Sequence, residues 1–392
     1  MNKFEFINNR VFDDRYSAFS PQGPQTLPGG DMFNPLFVDT GVKVHENGDV
    51  DFGLYAPNAK KVSVVFGVRA NQPLDMSKDA DGVWRATLKY DTDFCGPKAF
   101  YFDVDGAPVL SQYCPQYYSH GAVIHYVDIP DENTPFILLR DVPHGTVSYE
   151  IYWSDYLETW QRCLVYTPPG YEKGGEYPVL YLQHGGGENE TSWVFNGRAS
   201  HIMDNLIADG KAVPFVVVMS DGGVRGKDED RMSYGIAFER TLIDNCIPFI
   251  EGKYRVKRDK WNRAIAGFSM GSMQSSIIGL SNPDKFAYIG LLSGFMRRLG
   301  PDRDSDTSRT TNPHLNIMED KERFLSEYKL YYRGIGSADV HINAFYTDDK
   351  MCSERGYDKY PNVVRKEIEG YPHDWAVLRI LLHDFAQLIF KD

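Results

Sequence analysis

Apolar and polar residues follow two different rhythms along this chain. From about residue 136 onward, continuous apolar runs at 178–183, 215–219 and 330–335 alternate with segments whose apolar residues recur at helical spacing, at 273–280 and 376–390. A continuous apolar run is typical of a strand that is covered on both faces of its sheet. The pattern therefore predicts an α/β domain over residues 136–392, with a mainly parallel sheet and helices on both faces.

Two segments of this half depart from the simple pattern. Residues 238–254 are amphipathic but contain Pro248. Because proline has no backbone N–H and its ring clashes with the preceding turn, we expect this helix to kink. Residues 340–361 are rich in Tyr, Asp and Cys and have no plain helical pattern, so we expect a long loop there.

The first third of the chain has shorter periodic segments. Strand-like runs at 51–55, 62–66, 83–88 and 100–104 are separated by Asn-Gly or Asp-Gly pairs, which favour tight turns. These runs predict a small all-β sandwich of immunoglobulin type over residues 36–135. Residues 1–35 are rich in Pro, Gly, Gln and Asn and are expected to form an extended arm.

A candidate nucleophile lies in a Gly-x-Ser-x-Gly pattern centred on Ser269. The pattern follows a short apolar strand and precedes the helical segment 273–280. Gly267 and Gly271 have no Cβ that would clash where the helix folds back on the strand, so the turn can expose the Ser269 hydroxyl. A glycine-rich turn that contains serine by chance is the alternative, and the partners of Ser269 decide between the two.

Those partners are a base and an acid, in the chain order Ser, acid, His. His373 is the favoured base because it lies in a turn-rich segment between a strand and the last helix; His314, His341 and His383 lack this setting. Asp339 is the favoured acid because it directly follows the strand at 330–335. The rival carboxylates, in the segment expected to be a loop and to be solvated, are Asp348, Asp349 and Asp358.

A glycine loop supplies the candidate oxyanion donors. Residues 184–190 read His-Gly-Gly-Gly-Glu-Asn-Glu and directly follow the apolar strand at 178–183. The backbone N–H of Gly185 or Gly186, together with that of Met270, would bind the oxyanion. His184 is expected to orient this loop rather than to act in catalysis.

These motifs together resemble the esterase-D-like group of α/β-hydrolases, which contains feruloyl esterases, xylan acetyl esterases and enterochelin esterases. The resemblance covers roughly residues 145–392 and includes the segments at 166–171, 184–190, 267–271, 284–287, 292–294, 336–339 and 373–375. It implies that Ser269 is the nucleophile, Asp339 the acid and His373 the base, with Met270 and Gly185 or Gly186 as oxyanion donors.

Residues 54–59 resemble the early-set domains that precede the catalytic modules of glycogen-branching enzymes and of several esterases of this group. Such domains are often called carbohydrate-binding. Tyr113, Tyr117 and Tyr118 could stack on sugar and give the N-terminal domain a polysaccharide contact. The favoured alternative is that these rings pack against the catalytic domain, since aromatic side chains are core and interface residues first.

Composition excludes several other classes of protein. A net charge of −12 gives no basic surface for nucleic acid or an anionic membrane, and no apolar run approaches the length of a membrane span. Five scattered cysteines predict neither a disulfide framework nor a metal centre, and no cofactor motif is present. Without a signal-like N-terminus, we expect a cytoplasmic protein, or a secreted one if a leader was removed.

The resulting hypothesis is a serine carboxylesterase for feruloyl esters of plant cell-wall polysaccharide or oligosaccharide, with Trp193 and Trp375 as candidate walls of the acyl slot. Hydrolysis of acetyl-xylan or of a catecholate-siderophore triester is the alternative within the same chemistry. A carbohydrate-binding protein with an inactive hydrolase domain is the alternative from another class. The complete Ser, Asp and His set argues against that last alternative.

Overall fold

The computed structural model describes residues 25–26, 37–38, 41–67, 71–111, 113–119, 121–224, 236–296 and 313–391. The chain divides into two compact units, Met1–Leu139 and Arg140–Asp392. The domain boundary expected between residues 135 and 136 lies a few residues before this division. The extended arm expected over residues 1–35 lies outside the described residues, apart from one short strand.

The described part of the first unit consists of short antiparallel strands. In chain order they are β1 (Gln25–Thr26), β2 (Phe37–Val38), β3 (Gly41–Val44), β4 (Val50–Tyr55), β5 (Val62–Phe66), β6 (Leu74–Asp75), β7 (Ser77–Lys78), β8 (Val83–Leu88), β9 (Gly96–Val104), β10 (Ala107–Val109), β11 (Gln116–Ser119) and β12 (Ala122–Ile129). Short 3₁₀ turns lie at Thr92–Phe94 and Pro135–Ile137. Strands β3, β4, β8 and β7 form one sheet; β11, β12, β9, β5 and β6 form another, with β10 added to β9.

The two sheets face each other across an aromatic core. Phe52 of β4 and Phe100 of β9 are almost completely buried, with their ring centroids 5.2 Å apart. The β9–β10 turn has positive φ at both Asp105 and Gly106, as a two-residue turn requires if its twist is to match the strands. The Asp-Gly pair in the sequence thus forms the expected hairpin, and the described residues form the predicted sandwich.

The second unit contains the remaining strands and the main helices. Its strands are β13 (Thr146–Ser154), β14 (Thr159–Thr167), β15 (Val179–Gln183), β16 (Val216–Ser220), β17 (Arg263–Phe268), β18 (Tyr288–Leu292), β19 (Leu330–Gly336) and β20 (Val363–Ile368). In the described residues they form one sheet in the order β13-β14-β16-β15-β17-β18-β19-β20. Strands β13 and β14 are antiparallel to their neighbours, and the strands from β16 to β20 are parallel.

Helices cover both faces of this sheet. They are α1 (Ser192–Phe195), α2 (Ala199–Ala208), α3 (Ile236–Arg240), α4 (Ile247–Lys253), α5 (Met270–Ser281), α6 (Lys321–Glu327), α7 (Ile342–Glu354) and α8 (Trp375–Ala386), with 3₁₀ turns at Tyr171–Lys173, Lys260–Asn262, Pro313–Glu319 and Tyr357–Lys359. Phe238 and Ile278 lie in the core on one face, while Leu381 of α8 packs close to Gly334 on the other. The predicted α/β-hydrolase architecture, a mainly parallel sheet preceded by a β-sandwich, is confirmed.

Two segments differ in detail from the sequence prediction. Ahead of Pro248, where a kink is predicted, the helix is not regular, because a π-helical segment, Thr241–Cys246, joins α3 to α4. A wider turn ahead of the proline accommodates its ring and its missing N–H. The segment 340–361 is not a long loop but contains α7, whose buried residues Phe345, Asp348 and Cys352 share one face. Among the described helices, none is both long and apolar enough to cross a bilayer.

Candidate active site

Ser269 lies on a tight turn between β17 and α5. Its backbone has φ +52° and ψ −107°, a conformation that L-residues rarely adopt. A Cβ on Gly267 would lie 2.5 Å from the carbonyl carbon of Gly271, and a Cβ on Gly271 would lie 2.6 Å from the carbonyl oxygen of His184. The two glycines are therefore required by the close approach of helix and strand, as the sequence predicts.

His373 lies between Ser269 and Asp339. Its Nε2 is 3.0 Å from Ser269 Oγ, and its Nδ1 is 2.7 Å from Asp339 Oδ2. Because an ionised carboxylate only accepts hydrogen bonds, Nδ1 carries the ring proton and the Nε2 lone pair faces the serine hydroxyl. The structure brings together all three residues of the predicted triad, in the arrangement in which histidine can remove the serine proton.

Asp339 is held by three donors and is only 2 % exposed. Besides His373, the backbone N–H of His341 donates to its Oδ1 at 2.7 Å, and the Ser293 hydroxyl donates to its Oδ2. Burial by itself would raise the pKa of Asp339, but the hydrogen bonds from His373, Ser293 and His341 outweigh it and hold this pKa below its usual range. The acid is thus fixed as a carboxylate.

Ser293 is a site residue to which the sequence analysis gave no role. It follows β18, is fully buried and has φ +53°. Its Oγ lies 3.4 Å from His373 Nδ1 in addition to its bond with Asp339. Its sequence signals are its place in the segment 292–294, which belongs to the family resemblance, and its position directly after a strand that pairs with the strand preceding the acid.

The rival acids occupy other positions. Asp348 is not a solvated loop carboxylate as expected; it lies in α7, is fully buried and accepts a hydrogen bond of 2.7 Å from the backbone N–H of Met296. Asp349, in the same helix, pairs with Arg333 and Arg365. Asp358 is exposed, as expected.

The other histidines do not contact Ser269 through any described hydrogen bond. His314 Nε2 is 3.0 Å from the carbonyl oxygen of Met296, and His383 lies in α8. His341 is closer to the site than expected, because its ring centroid lies 4.9 Å from that of His373 in an edge-to-face contact. Its side chain therefore packs against the base while its backbone bonds the acid.

The structure distinguishes the two glycines that the sequence prediction left as alternative oxyanion donors. The N–H of Gly185 donates to the Glu188 carboxylate at 3.0 Å, so it is not available to an oxyanion. Gly185 is needed for space instead, since its Cβ would lie 2.6 Å from the Phe268 ring. Gly186 is exposed, and Met270 begins α5, where the first N–H groups have no acceptor within the helix. The geometry thus favours Gly186 and Met270 as the oxyanion donors.

Glu188 connects this loop to the segment that carries the base. Its two carboxylate oxygens accept from the Gly185 N–H and from the Trp375 indole N–H, the latter at 2.8 Å. Burial raises the pKa of Glu188 above its usual range, although both hydrogen bonds oppose this rise. Trp375 also contacts Phe268, with ring centroids 5.5 Å apart. Glu188 was not predicted, because its partner lies far away along the chain.

The two tryptophans proposed as walls of the acyl slot are both buried. Trp193 is 1 % exposed, and its indole N–H donates to the carbonyl oxygen of Gln183. Its ring lies edge-to-face on Trp375, which is 5 % exposed. The expectation that Trp193 forms a wall is therefore wrong: it supports Trp375 from beneath. Trp375 lies nearer to the base and packs on the ring of Phe268, which itself contacts His373.

His184 orients the loop through both ring nitrogens. The backbone N–H of Gly222 donates to its Nε2 at 2.9 Å, so its proton is on Nδ1, which lies 2.8 Å from the carbonyl oxygen of Gly185. The side chain is 1 % exposed. A histidine with both nitrogens engaged by backbone groups has a structural role, in agreement with the prediction.

The sheet order, the turn at Ser269 and the Ser–His–Asp arrangement define the α/β-hydrolase class. The Esterase family model matches residues 154–355. The chain belongs to the Esterase family, as the resemblance in its motifs implied.

Comparison with known proteins adds more specific similarities. The chain is 40 % identical over 259 residues to an "Endo-1,4-beta-xylanase/feruloyl esterase" of Xylanibacter ruminicola; the match covers 64 % of this chain and 36 % of that relative. It thus spans about a third of the relative's length.

Two solved structures have similar folds. The ferulic acid esterase of Anaeromyces mucronatus in complex with ferulic acid is 25 % identical, with a TM-score of 0.54, over 64 % of this chain and 93 % of that one. The enterobactin esterase of Shigella flexneri is 16 % identical, with a TM-score of 0.60, over 96 % of this chain and 99 % of that one.

Proposed function

We propose that this protein is a serine carboxylesterase that hydrolyses hydroxycinnamoyl (feruloyl) esters of plant cell-wall polysaccharide or oligosaccharide. The observation that carries the proposal is the hydrogen-bonded series Ser269–His373–Asp339 beside the glycine loop, in a chain that is 40 % identical over 259 residues to a relative named as a xylanase and feruloyl esterase.

Acylation is the first half of the reaction. Ser269 Oγ attacks the ester carbonyl carbon while His373 Nε2 takes the hydroxyl proton, and Asp339 stabilises the imidazolium that forms. The carbonyl oxygen gains a negative charge, which the N–H groups of Gly186 and Met270 bind. One such donor is worth a factor of about a hundred to a thousand in turnover. His373 then gives its proton to the departing sugar oxygen.

Deacylation repeats these steps with water. His373 takes a proton from a water molecule, the hydroxide attacks the acyl carbon, and the second tetrahedral intermediate is held by the same donors. Collapse returns the proton to Ser269 Oγ and releases the hydroxycinnamic acid. Atoms and charge balance with one water consumed for each ester cleaved, and the proposal involves no metal or organic cofactor.

The first unit is proposed to contact the polysaccharide. The support is the small β-sandwich together with Tyr118, which is 36 % exposed at the end of β11. Tyr117 is partly buried and packs edge-to-face on Tyr126, with centroids 5.4 Å apart, so it contributes to packing within its own unit. Gel retardation of the Tyr118→Ala variant in soluble arabinoxylan tests this part: unchanged retardation would contradict it.

A panel of esters tests the proposed activity. We expect methyl ferulate to be cleaved with a higher kcat/KM than 4-nitrophenyl acetate, and a catecholate-siderophore triester to be cleaved poorly. The Ser269→Ala variant should lose several orders of magnitude in turnover while its thermal unfolding stays cooperative. Faster cleavage of the siderophore triester would reassign the substrate, and an active Ser269→Ala variant would remove Ser269 as the nucleophile.

A further inference from the structure

The hairpin formed by β13 and β14 presents large apolar side chains to solvent. Trp160 is 65 % exposed, Tyr149 53 %, Ile151 52 % and Trp153 43 %. In both strands the alternate residues are buried, so the period of two places these four side chains on the same face of the sheet. We call Tyr149, Ile151, Trp153 and Trp160 the exposed row.

The exposed row is supported by cross-strand pairing. Trp153 and Trp160 are directly opposite each other in the strand register, and their ring centroids are 5.4 Å apart in an edge-to-face contact. The two strands are paired along the whole of their nine residues. Large apolar groups held exposed on a regular sheet mark a binding surface far more often than single exposed side chains do.

The row lies at the same edge of the sheet as the candidate active site. Strand β14 runs antiparallel to β16, and Cys163, the middle residue of β14, is opposite Ser220, the last residue of β16, so the first half of β14 extends beyond the carboxyl end of β16. The start of β14, with Trp160, is therefore at the edge where the parallel strands end and where Ser269 lies. In the order β14-β16-β15-β17, three strand spacings separate β14 from the strand of the nucleophile, or about 14 Å.

Arg162 links the row to the glycine loop. It is opposite Ile151 in the register, on the same face as the row. Its Nε is 3.3 Å from Glu190 Oε1 in the glycine loop, and its Nη2 is 3.7 Å from Asp221 Oδ2. Asp221 in turn lies 3.4 Å from His184 Nε2. The row is thus continuous with the loop that contains the proposed oxyanion donor Gly186, and Arg162 is paired with two carboxylates there.

From this continuity we propose that the exposed row binds the backbone of a neutral polysaccharide, so that the ester-bearing side group of the same polymer reaches Ser269. This inference rests on the proposed function. Aromatic rings offer apolar faces that suit the C–H faces of sugar rings, and the positive charge of Arg162 is engaged by the carboxylates of Glu190 and Asp221, so it does not recruit an anionic ligand. Four side chains on one hairpin are too few for a protein interface of standard size, which needs about 20 residues a side.

The experiment compares two substrates. The Trp153→Ala/Trp160→Ala variant should raise KM for feruloylated arabinoxylan by about tenfold, as loss of an aromatic contact does, while kcat and all constants for methyl ferulate stay within twofold. Both side chains are exposed, so the variant should lose only the ring contact between them and should still unfold cooperatively. The matched control is Trp261→Ala: Trp261 is 41 % exposed but lies just before β17, at the opposite edge of the sheet.

Three results would overturn the inference: an unchanged KM for the polymer, an equal loss on both substrates, or an equal effect of Trp261→Ala. A lower sedimentation coefficient of the double variant with unchanged polymer kinetics would instead assign the row to a second copy of the chain. If the wild type cleaves no feruloyl ester, the proposed function fails. Gel retardation of Ser269→Ala, with and without the two tryptophans, in soluble arabinoxylan then still tests the row by binding alone.

Discussion

Replacing Asp339 by Asn tests the acid of the triad through the position of one ring proton on His373. The carboxylate accepts from His373 and Ser293 at Oδ2 and from the backbone N–H of His341 at Oδ1. An asparagine side chain keeps the shape but has one accepting oxygen and one NH₂ group. The NH₂ group of the asparagine must therefore face either the His341 N–H or the side of His373 and Ser293, where the carboxylate had accepted hydrogen bonds.

The structure indicates which way the amide will turn. The His341 N–H is fixed by the backbone and cannot become an acceptor, whereas the Ser293 hydroxyl can rotate and accept. The amide oxygen should therefore face His341, and the NH₂ group should donate to Nδ1 of His373. The ring proton then moves to Nε2, which faces Ser269 Oγ at 3.0 Å and can no longer take its proton.

A wrong tautomer of this kind costs about 10⁴ in kcat, or about 5.4 kcal/mol of transition-state stabilisation. Steady-state hydrolysis of methyl ferulate measures the loss, and circular dichroism melting verifies the fold. The matched control is Asp358→Asn, since Asp358 is exposed and accepts a surface hydrogen bond of 3.2 Å from the Ser353 hydroxyl. Turnover of Asp339→Asn within tenfold of the wild type, or a collapse of activity in Asp358→Asn, would refute the assignment.

Three further outcomes are expected. Ser293→Gly keeps the positive φ without strain but removes one hydrogen bond to Asp339, so kcat should fall about tenfold. The lost charge-assisted bond should also lower the free energy of unfolding by about 1.5–3 kcal/mol, and an unchanged kcat contradicts a positioning role. Gly185→Ala brings a Cβ against Phe268 and should lower both stability, by about 1–3 kcal/mol in urea unfolding, and kcat, whereas a neutral result means that the loop moves freely. The pKa of Asp339 in the folded protein lies below its ordinary value of 3.8, so its carboxylate stabilises the fold above pH 3.8 and loses this effect as the pH falls through the folded pKa. The difference in unfolding free energy between the wild type and Asp339→Asn, measured by denaturant titration, should therefore narrow below pH 3.8. A difference that stays constant with pH contradicts the lowered pKa.

The sequence alone was sufficient to predict elements and site residues whose signal lies within one short segment. Strands β5 and β8 have the bounds that the strand-like runs at 62–66 and 83–88 predict. The turn at Ser269 was predictable because both glycines are needed within five residues of one another. His373 followed from its setting between β20 and α8, and Asp339 from its place after β19.

The rest depended on contacts between distant segments. Ser293 bonds Asp339 across 46 residues, and Trp375 bonds Glu188 across 187, so no periodicity in the sequence could pair them. The choice of Gly186 over Gly185 as oxyanion donor also depended on a contact in the folded loop, since the Gly185 N–H donates to Glu188. Helix α7 was missed because a polar residue, Asp348, occupies the middle of its buried face.

The backbone conformation of Ser269 sets stability against activity at one position. A residue held at φ +52° and ψ −107° stores about 1–3 kcal/mol of strain, which glycine would relieve. The residue that would make the fold more stable there is therefore one without a nucleophile. A lineage selected for durability alone would drift away from serine at this turn, and screens that score only thermal tolerance would enrich inert variants of an intact fold.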